Sequence, residues 1–207
     1  MRPEDELHIT DGRGNMYRCK VGDDNVKRCV VEVVETMANY EPLSYGLAMA
    51  VAPTKNIARY EWFLETATEV GITEIYPIEC DHSERRQIKA EREEKVITAA
   101  VKQSLTAYHP TLRPLTRISE VVTMPFDGNK FIAHCNDSIG EREYLGRLIE
   151  KGGKNLILIG PEGDFSEDEI TFALENGFKA ITLVKERLRT ETAALIATVI
   201  TSTINKL

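Results

Sequence analysis

At 207 residues with a formal net charge of −7, 42% hydrophobic and 29% charged, the chain has the size and composition of one medium globular domain, or one domain with a small appendage. No apolar run approaches the roughly 20 residues that a membrane span needs, and the opening MRPEDELHITDGRG is too polar for a secretory signal. The acidic balance argues against a surface that grips nucleic acid all round, but not against a local basic face.

The first forty or so residues read as β structure: LHITDGRGNMYRCKV and VKRCVVEVVE are β-rich runs joined by D-G and G-D-D turns. Two or three strands do not make an independent domain, so residues 1–42 are expected to be part of a small β domain or an elaboration of the main one. Cys19, Cys29, Cys80 and Cys135 show no C-x-x-C pairing, and His8, His82, His109 and His134 show no H-E-x-x-H spacing. This pattern reads as reduced cytosolic thiols and no metal site.

From Leu47 onward, strand-length apolar runs alternate with helical patterns, the signature of an α/β domain with a mostly parallel sheet over 43–207. The strands are predicted at 47–52, 74–79, 130–135, 155–159 and 180–184. One helix is predicted over 56–70, with Ile57, Tyr60, Phe63, Leu64 and Ala67 on one stripe and Gly71 at its end. A second is predicted over 91–108, with Val96, Ile97, Ala100, Val101 and Ser104 inward. Ser166 and Glu169 form a capping box and Phe165 and Ile170 a hydrophobic staple, so a third helix starts at Ser166 and closes at Gly177.

In an open parallel sheet, ligands bind outside the carboxyl ends of the strands. Loops leave such ends after His134, at GPEGDF after Ile159, and at KERLRTET after Val184. GPEGDF has neither G-x-G-x-x-G nor G-K-[ST] spacing, which argues against a pyrophosphate cradle. It reads either as a loop that shows backbone to an adenine or ribose, or as a tight strand-to-helix turn. KERLRTETAALIATVI places Lys185, Arg187, Arg189, Thr190, Glu191 and Thr192 ahead of a long apolar helix that Thr190 is expected to cap. Its other reading is a capped amphipathic helix with solvated cations.

Taken together, GPEGDFSEDE and, about twenty residues on, LRTETA resemble the RsmE family. The family pattern is close to IGPEGGFS, then LG, a few variable residues, and LRTETA. This chain has Asp164 for the third glycine and Val184 for the glycine after leucine. The resemblance extends through PTKNIARYEWFLETATEVGITEIYPI and AAVKQSL, covering nearly everything from Leu47 onward.

That resemblance implies S-adenosylmethionine-dependent methylation of N3 of a uridine in small-subunit rRNA. It implies a SPOUT fold with a C-terminal trefoil knot, a homodimer built through the knot, and a preceding PUA-like β-barrel. Against that barrel the amino terminus looks shortened by about its first third. The implied cofactor positions are Ile159, Gly160, Pro161, Glu162 and Gly163 on the first loop; Leu183, Val184, Leu188, Arg189, Thr190 and Thr192 on or beside the second; and His134. Arg189 is the candidate for stabilising charge on the uracil, and Glu191 either accepts the imide proton or is a helix-start carboxylate. Arg85, Arg86, Lys89, Arg92, Lys185 and Arg187 are the candidate RNA contacts on rRNA or an assembling 30S subunit, with Arg113 and Arg117 beyond them. No membrane and no metal are expected. The alternatives are a catalytically idle RNA-binding or ribosome-assembly protein with this fold, and a SPOUT methyltransferase with another RNA target.

Overall fold

The computed structural model describes residues 2–207, so Met1 of the expected 1–42 segment lies outside the described residues. The chain divides into two compact units: one holds the residues through Pro42 together with Val101–His109, the other Leu43–Ala100 together with Pro110–Leu207.

In the first unit, β1 (Glu6–Thr10), β2 (Met16–Asp23) and β3 (Val30–Met37) form an antiparallel sheet in that order. The D-G turn between β1 and β2 forms because the Asp11 carboxylate accepts from the Arg13 and Asn15 amides while Gly12 and Gly14 take positive φ. Met16, Cys19 and Val21 of β2 are buried, whereas Val30, Val33 and Val34 of β3 are exposed.

The remaining elements follow in chain order: β4 (Gly46–Val51), α1 (Ile57–Val70), β5 (Glu74–Glu79), α2 (Ala90–Ser104), β6 (Thr111–Leu112), β7 (Thr116–Arg117), α3 (Ile118–Thr123), β8 (Asn129–Ala133), β9 (Glu143–Tyr144), a 3-10 turn Leu145–Arg147, β10 (Lys154–Ile159), α4 (Glu167–Glu175), β11 (Lys179–Thr182) and α5 (Thr190–Lys206). The strands of the second unit pair in parallel in the order β6-β5-β4-β10-β8-β11-β9, with β7 also on β5.

Side chains alternate across the pleat. Ala48, Ala50, Leu156, Leu158 and Ile132 pack with α3 and α4; Leu47, Met49, Val51 and Ile157 therefore lie on the opposite face, where α1 and α5 pack together. Ser202 Oγ and Lys206 Nζ both donate to the Val70 carbonyl and fix α5 along α1. Asn56 caps α1, and Gly71 ends it at φ 121, where a Cβ would stand 2.7 Å from the Tyr45 hydroxyl oxygen.

Three predicted boundaries move. The 91–108 helix stops at Ser104, because Leu105 turns the chain at φ 56. The strand expected over 130–135 ends at Ala133, and that expected over 180–184 ends at Thr182. Their mutual ladder runs out at Ala133 and Ile181, after which the Thr182 hydroxyl bonds the Val184 carbonyl and turns the chain. His134, Leu183 and Val184 thus lie in loops, where their side chains are released from the sheet's alternation.

Candidate functional site

Because every strand of this sheet points the same way, the segments that follow β4, β8, β10 and β11 share one end of it. Two adjoining cavities open there. The first, about 350 Å³, is lined by Ile159–Glu162, Asp164, Arg187–Thr190 and neighbours from β8 and α5. The second, about 310 Å³, is lined by Leu183–Leu188, His134, Asp137 and Arg142. Ala133, Cys135, Ile159, Arg187, Leu188 and Ala193 border both, so the two form one cleft.

The first loop is held from three sides. Ser166 and Glu169 make the expected capping box, and Ser166 Oγ also donates to the Asp81 carboxylate while the Asp81 amide donates to Glu169. Glu162 accepts from the Lys55 amide at 2.9 Å. Asp164, standing where the resembled pattern has glycine, holds φ 65. Its carboxylate offsets that strain by accepting from the Phe165 amide at 2.8 Å and, across the cleft, from the Cys135 amide at 2.7 Å.

Thr190 does something other than expected. The N-cap of α5 is Arg189, without a side-chain cap bond; Thr190 is the first helical residue, and its buried hydroxyl donates 3.0 Å to the Gly160 carbonyl. That bond joins the two loops. Gly160 is needed for a related reason, since a Cβ there would lie 3.1 Å from the Phe165 ring and 3.2 Å from its amide nitrogen. The missing side chain makes room for the loop's own fold, not for open ligand space.

The remaining sequence candidates divide. Ile159, Gly160, Pro161, Glu162, Leu183, Val184, Leu188, Arg189, Thr190 and His134 all meet at the cleft. Gly163 instead backs onto His82, whose Cβ is 3.0 Å from where its own would stand, and Thr192 is half-buried one turn into α5, away from the wall. Glu191 is buried and faces Arg59 of α1 at 3.8 Å, with no place in the lining. Its position in the first turn of α5 suits a helix-start carboxylate.

Among the expected RNA contacts, Lys185 and Arg187 line the cleft. Arg85 is half-buried and donates to the Thr54 and Lys55 carbonyls at 3.0 and 2.7 Å, so it braces the segment that in turn holds Glu162. Arg86 pairs with half-buried Glu79 and Arg92 with Glu61, whose side chain is only 14% exposed, while both guanidinium groups reach the surface. Lys89 is exposed.

Sequence reasoning missed several groups. Asp164 and Cys135 lie in the cleft; Cys135 is exposed, its thiol pKa pushed up by burial of the sulfur and by Asp164. Arg142 donates to the His134 carbonyl and to Asp137. The only available signal was Asp164 itself, a side chain at a position that the resembled pattern keeps bare. Away from the cleft, Glu93 is buried beside Tyr60, and desolvation with Glu61 nearby raises its pKa from 4.5 to about 7. Among the described residues no group of three or more His, Cys, Asp or Glu is placed to hold a metal ion, and no helix is long and apolar enough to cross a membrane.

Comparison with known proteins agrees with this architecture. A family model for the RNA methyltransferase domain matches residues 41–202. The ribosomal RNA small subunit methyltransferase E of Synechocystis is 24% identical over 198 residues, a match spanning 93% of this chain and 64% of that protein. The crystal structure of a probable rRNA-methyltransferase from Porphyromonas gingivalis is 40% identical with a TM-score of 0.93, covering 100% of this chain and 87% of that one. A ribosomal RNA small subunit methyltransferase E from Neisseria gonorrhoeae, solved bound to S-adenosyl methionine, shares the fold at 24% identity and a TM-score of 0.80, over 99% of this chain and 85% of that one. With a family match over most of its length and a parallel-sheet cleft built from the two diagnostic loops, the chain belongs to the RNA methyltransferase domain family, among the ribosomal RNA small subunit methyltransferase E proteins.

Proposed function

We propose that this chain is an S-adenosylmethionine-dependent methyltransferase acting on N3 of a uridine in small-subunit rRNA, in the cytoplasm. The observation that carries the reading is the cleft at the carboxyl ends of β8, β10 and β11, where the Gly160 and Leu188–Thr190 loops meet and are tied by the Thr190–Gly160 bond. Its two adjoining cavities, about 350 and 310 Å³, suit a bent ligand of nucleoside size. The walls fit one too: Ile159, Leu183, Leu188 and Ala193 give apolar faces, and the His134 ring adds a polar edge.

When bound, S-adenosylmethionine supplies an electrophilic methyl group on its sulfonium. The protein's task is to orient the acceptor against it and exclude water. Gly160–Glu162 and Leu183–Leu188 would hold the donor. Arg189, exposed at the mouth of the first cavity, stabilises negative charge developing on a uracil oxygen as the imide proton leaves. Two carboxylates that could pair with it, Glu162 and Glu191, are engaged with the Lys55 amide and Arg59. Glu191, buried against α1, is not placed to take that proton, which passes to bulk water as the methyl group is transferred.

Lys89, Arg86 and Arg92, with Arg187 at the cleft rim, form the proposed phosphate footprint on rRNA or the assembling 30S subunit. The segment before β4 acts as a PUA-like β domain and 43–207 as a SPOUT domain. Its trefoil knot is formed by α5, which starts at the junction of the two loops. Half-exposed Leu195, Ile196 and Ile200, with exposed Val199, give α5 an apolar face for a homodimer.

The test is mass spectrometry of small-subunit rRNA nucleosides from cells lacking the gene, beside methylation of that rRNA by the purified chain. Loss of N3-methyluridine in the cells, restored in vitro, is expected. Unchanged N3-methyluridine overturns the reading, and an idle RNA-binding role then requires rRNA binding without cofactor binding.

A further inference from the structure

A third cavity, of about 580 Å³, opens at the amino ends of β4, β5 and β10, the end of the sheet opposite the cleft. Its floor follows from the register. Gly46 lies beside Lys154 and Ala48 beside Glu74, with Tyr76 two residues further along β5, all on the face that α3 covers. With neighbouring strands about 4.8 Å apart, two small residues on β4 between larger ones on β5 and β10 leave a trough wide enough for a flat ring. Met124, Pro125 and Phe126, which follow α3, complete the lining.

The polar groups around the trough are fixed, and one of them is open. Glu74 Oε2 accepts from the Tyr76 hydroxyl at 2.8 Å and from Arg113 Nε and Nη2 at 3.2 and 3.0 Å. These bonds hold the Arg113 guanidinium over the Tyr76 ring, 5.8 Å from its centroid. All three fall on one oxygen, which leaves Glu74 Oε1 to accept from a ligand. Lys154 pairs with Asp127 at 3.1 Å, but the two side chains are 62% and 98% exposed, and such a pair is weak and exchanges readily. Two cations and two carboxylates balance in this lining, so a bare anion gains little from it.

We propose that this trough is a nucleotide site separate from the cleft, selective for a base that carries an amino group. The ring lies in the trough, the amino group donates to Glu74 Oε1, and the phosphate takes Lys154 from Asp127. Adenine, guanine and cytosine each offer exocyclic N–H donors, whereas uracil turns carbonyl oxygens toward the same carboxylate. Bases stack on aromatic rings and on guanidinium planes, and Phe126, Tyr76 and the outer face of Arg113 supply both. The volume lies in the range of small-ligand sites. The five steps of β4 from Gly46 to Val51, at about 3.3 Å each, put the trough roughly 16 Å from the cleft. Both sites can therefore be filled at once, and this one does not depend on the methyltransferase reading. The nucleotide is either free in solution or an unpaired residue of an RNA strand.

Calorimetry of the purified chain with AMP, CMP, UMP and inorganic phosphate tests the site, and a single-stranded oligoadenylate identifies the source. AMP and CMP are expected to bind more tightly than UMP by about tenfold or more, and phosphate alone not to bind. Lys154→Ala removes the phosphate contact and Gly46→Val fills the floor; each should weaken AMP by about tenfold or more and leave S-adenosylmethionine binding unchanged. Gly46 has no positive φ, and a Cβ there first meets the flexible Lys154 stem, 3.1 Å from its Cγ, so the strand accepts valine. Oligoadenylate that binds more tightly than AMP, and weakens in both variants, assigns the site to RNA; equal or weaker binding assigns it to a free nucleotide. UMP or phosphate binding as tightly as AMP overturns the inference, as does wild-type AMP affinity in either variant or no nucleotide binding at millimolar concentration. A chain that binds AMP but not S-adenosylmethionine removes the methyltransferase reading and leaves this site standing.

Discussion

Thr190→Val is the most direct probe of how the cleft is held together. Valine matches threonine in shape, so the substitution deletes the 3.0 Å bond from Thr190 to the Gly160 carbonyl and little else. Both residues are buried, which leaves that carbonyl without a donor at a cost of about 1–3 kcal/mol. At roughly 2–4 °C per kcal/mol for a domain of this size, Tm should fall by about 2–12 °C. The bond also sets the spacing of the two loops, so calorimetry should show weaker S-adenosylmethionine binding by about tenfold at a temperature where the variant is fully folded. Thr190→Ser keeps the hydroxyl and loses one buried methyl, about 0.8 kcal/mol, and should bind cofactor nearly as the wild type does. A valine variant with wild-type Tm and affinity, or a serine variant as impaired in binding as valine, refutes the account of the loop junction.

Asp164 separates backbone strain from hydrogen bonding: Asp164→Gly and Asp164→Ala both lose the bonds to the Cys135 and Phe165 amides, but only glycine tolerates φ 65 freely. The alanine variant should therefore be less stable by about 1 kcal/mol, and equal melting temperatures would contradict the strained geometry. Glu93 titrates near pH 7 when folded and near 4.5 otherwise, so the folded state holds the extra proton between those values and stability falls as pH rises through that window. The loss is at most about 3 kcal/mol; denaturation from about pH 5 to 8 should show it, and Glu93→Gln should flatten the curve. Arg85→Ala should weaken cofactor binding by releasing Thr54 and Lys55 while leaving the salt dependence of rRNA binding unchanged. Lys89→Ala should do the opposite, lowering the log–log salt slope by about 0.7–0.9; equal slopes for the two variants would undo this division.

Periodicity alone located the five longer strands of the sheet and the stripes of α1 and α2, because alternation and the 3.6-residue stripe record burial directly, but it missed the short α3. The capping box at Ser166 was legible for a similar reason: both of its bonds lie within four residues of chain. The two cleft loops announced themselves through glycine, proline and charge at strand ends, and their pairing through resemblance to one family.

Contacts between segments far apart in sequence had no such signal. Nothing local distinguishes Arg85, which braces Thr54 and Lys55, from Arg86, which pairs at the surface with Glu79. Thr190 has the composition of a cap, yet its hydroxyl turns to a carbonyl thirty residues back. Glu191 reads from sequence as either a base beside the cleft or a helix-start carboxylate, and the pitch of α5 turns it onto Arg59 of α1. His134 reads as part of a strand over 130–135 until the β8–β11 ladder stops at Ala133. The sequence by itself determined which residues prefer a buried face, where each helix nucleates and which loops lack side chains, since these depend on spacing along the chain. Only the tertiary structure decided which polar atoms find partners and which remain open toward a ligand, because that depends on strands and helices meeting across more than a hundred residues.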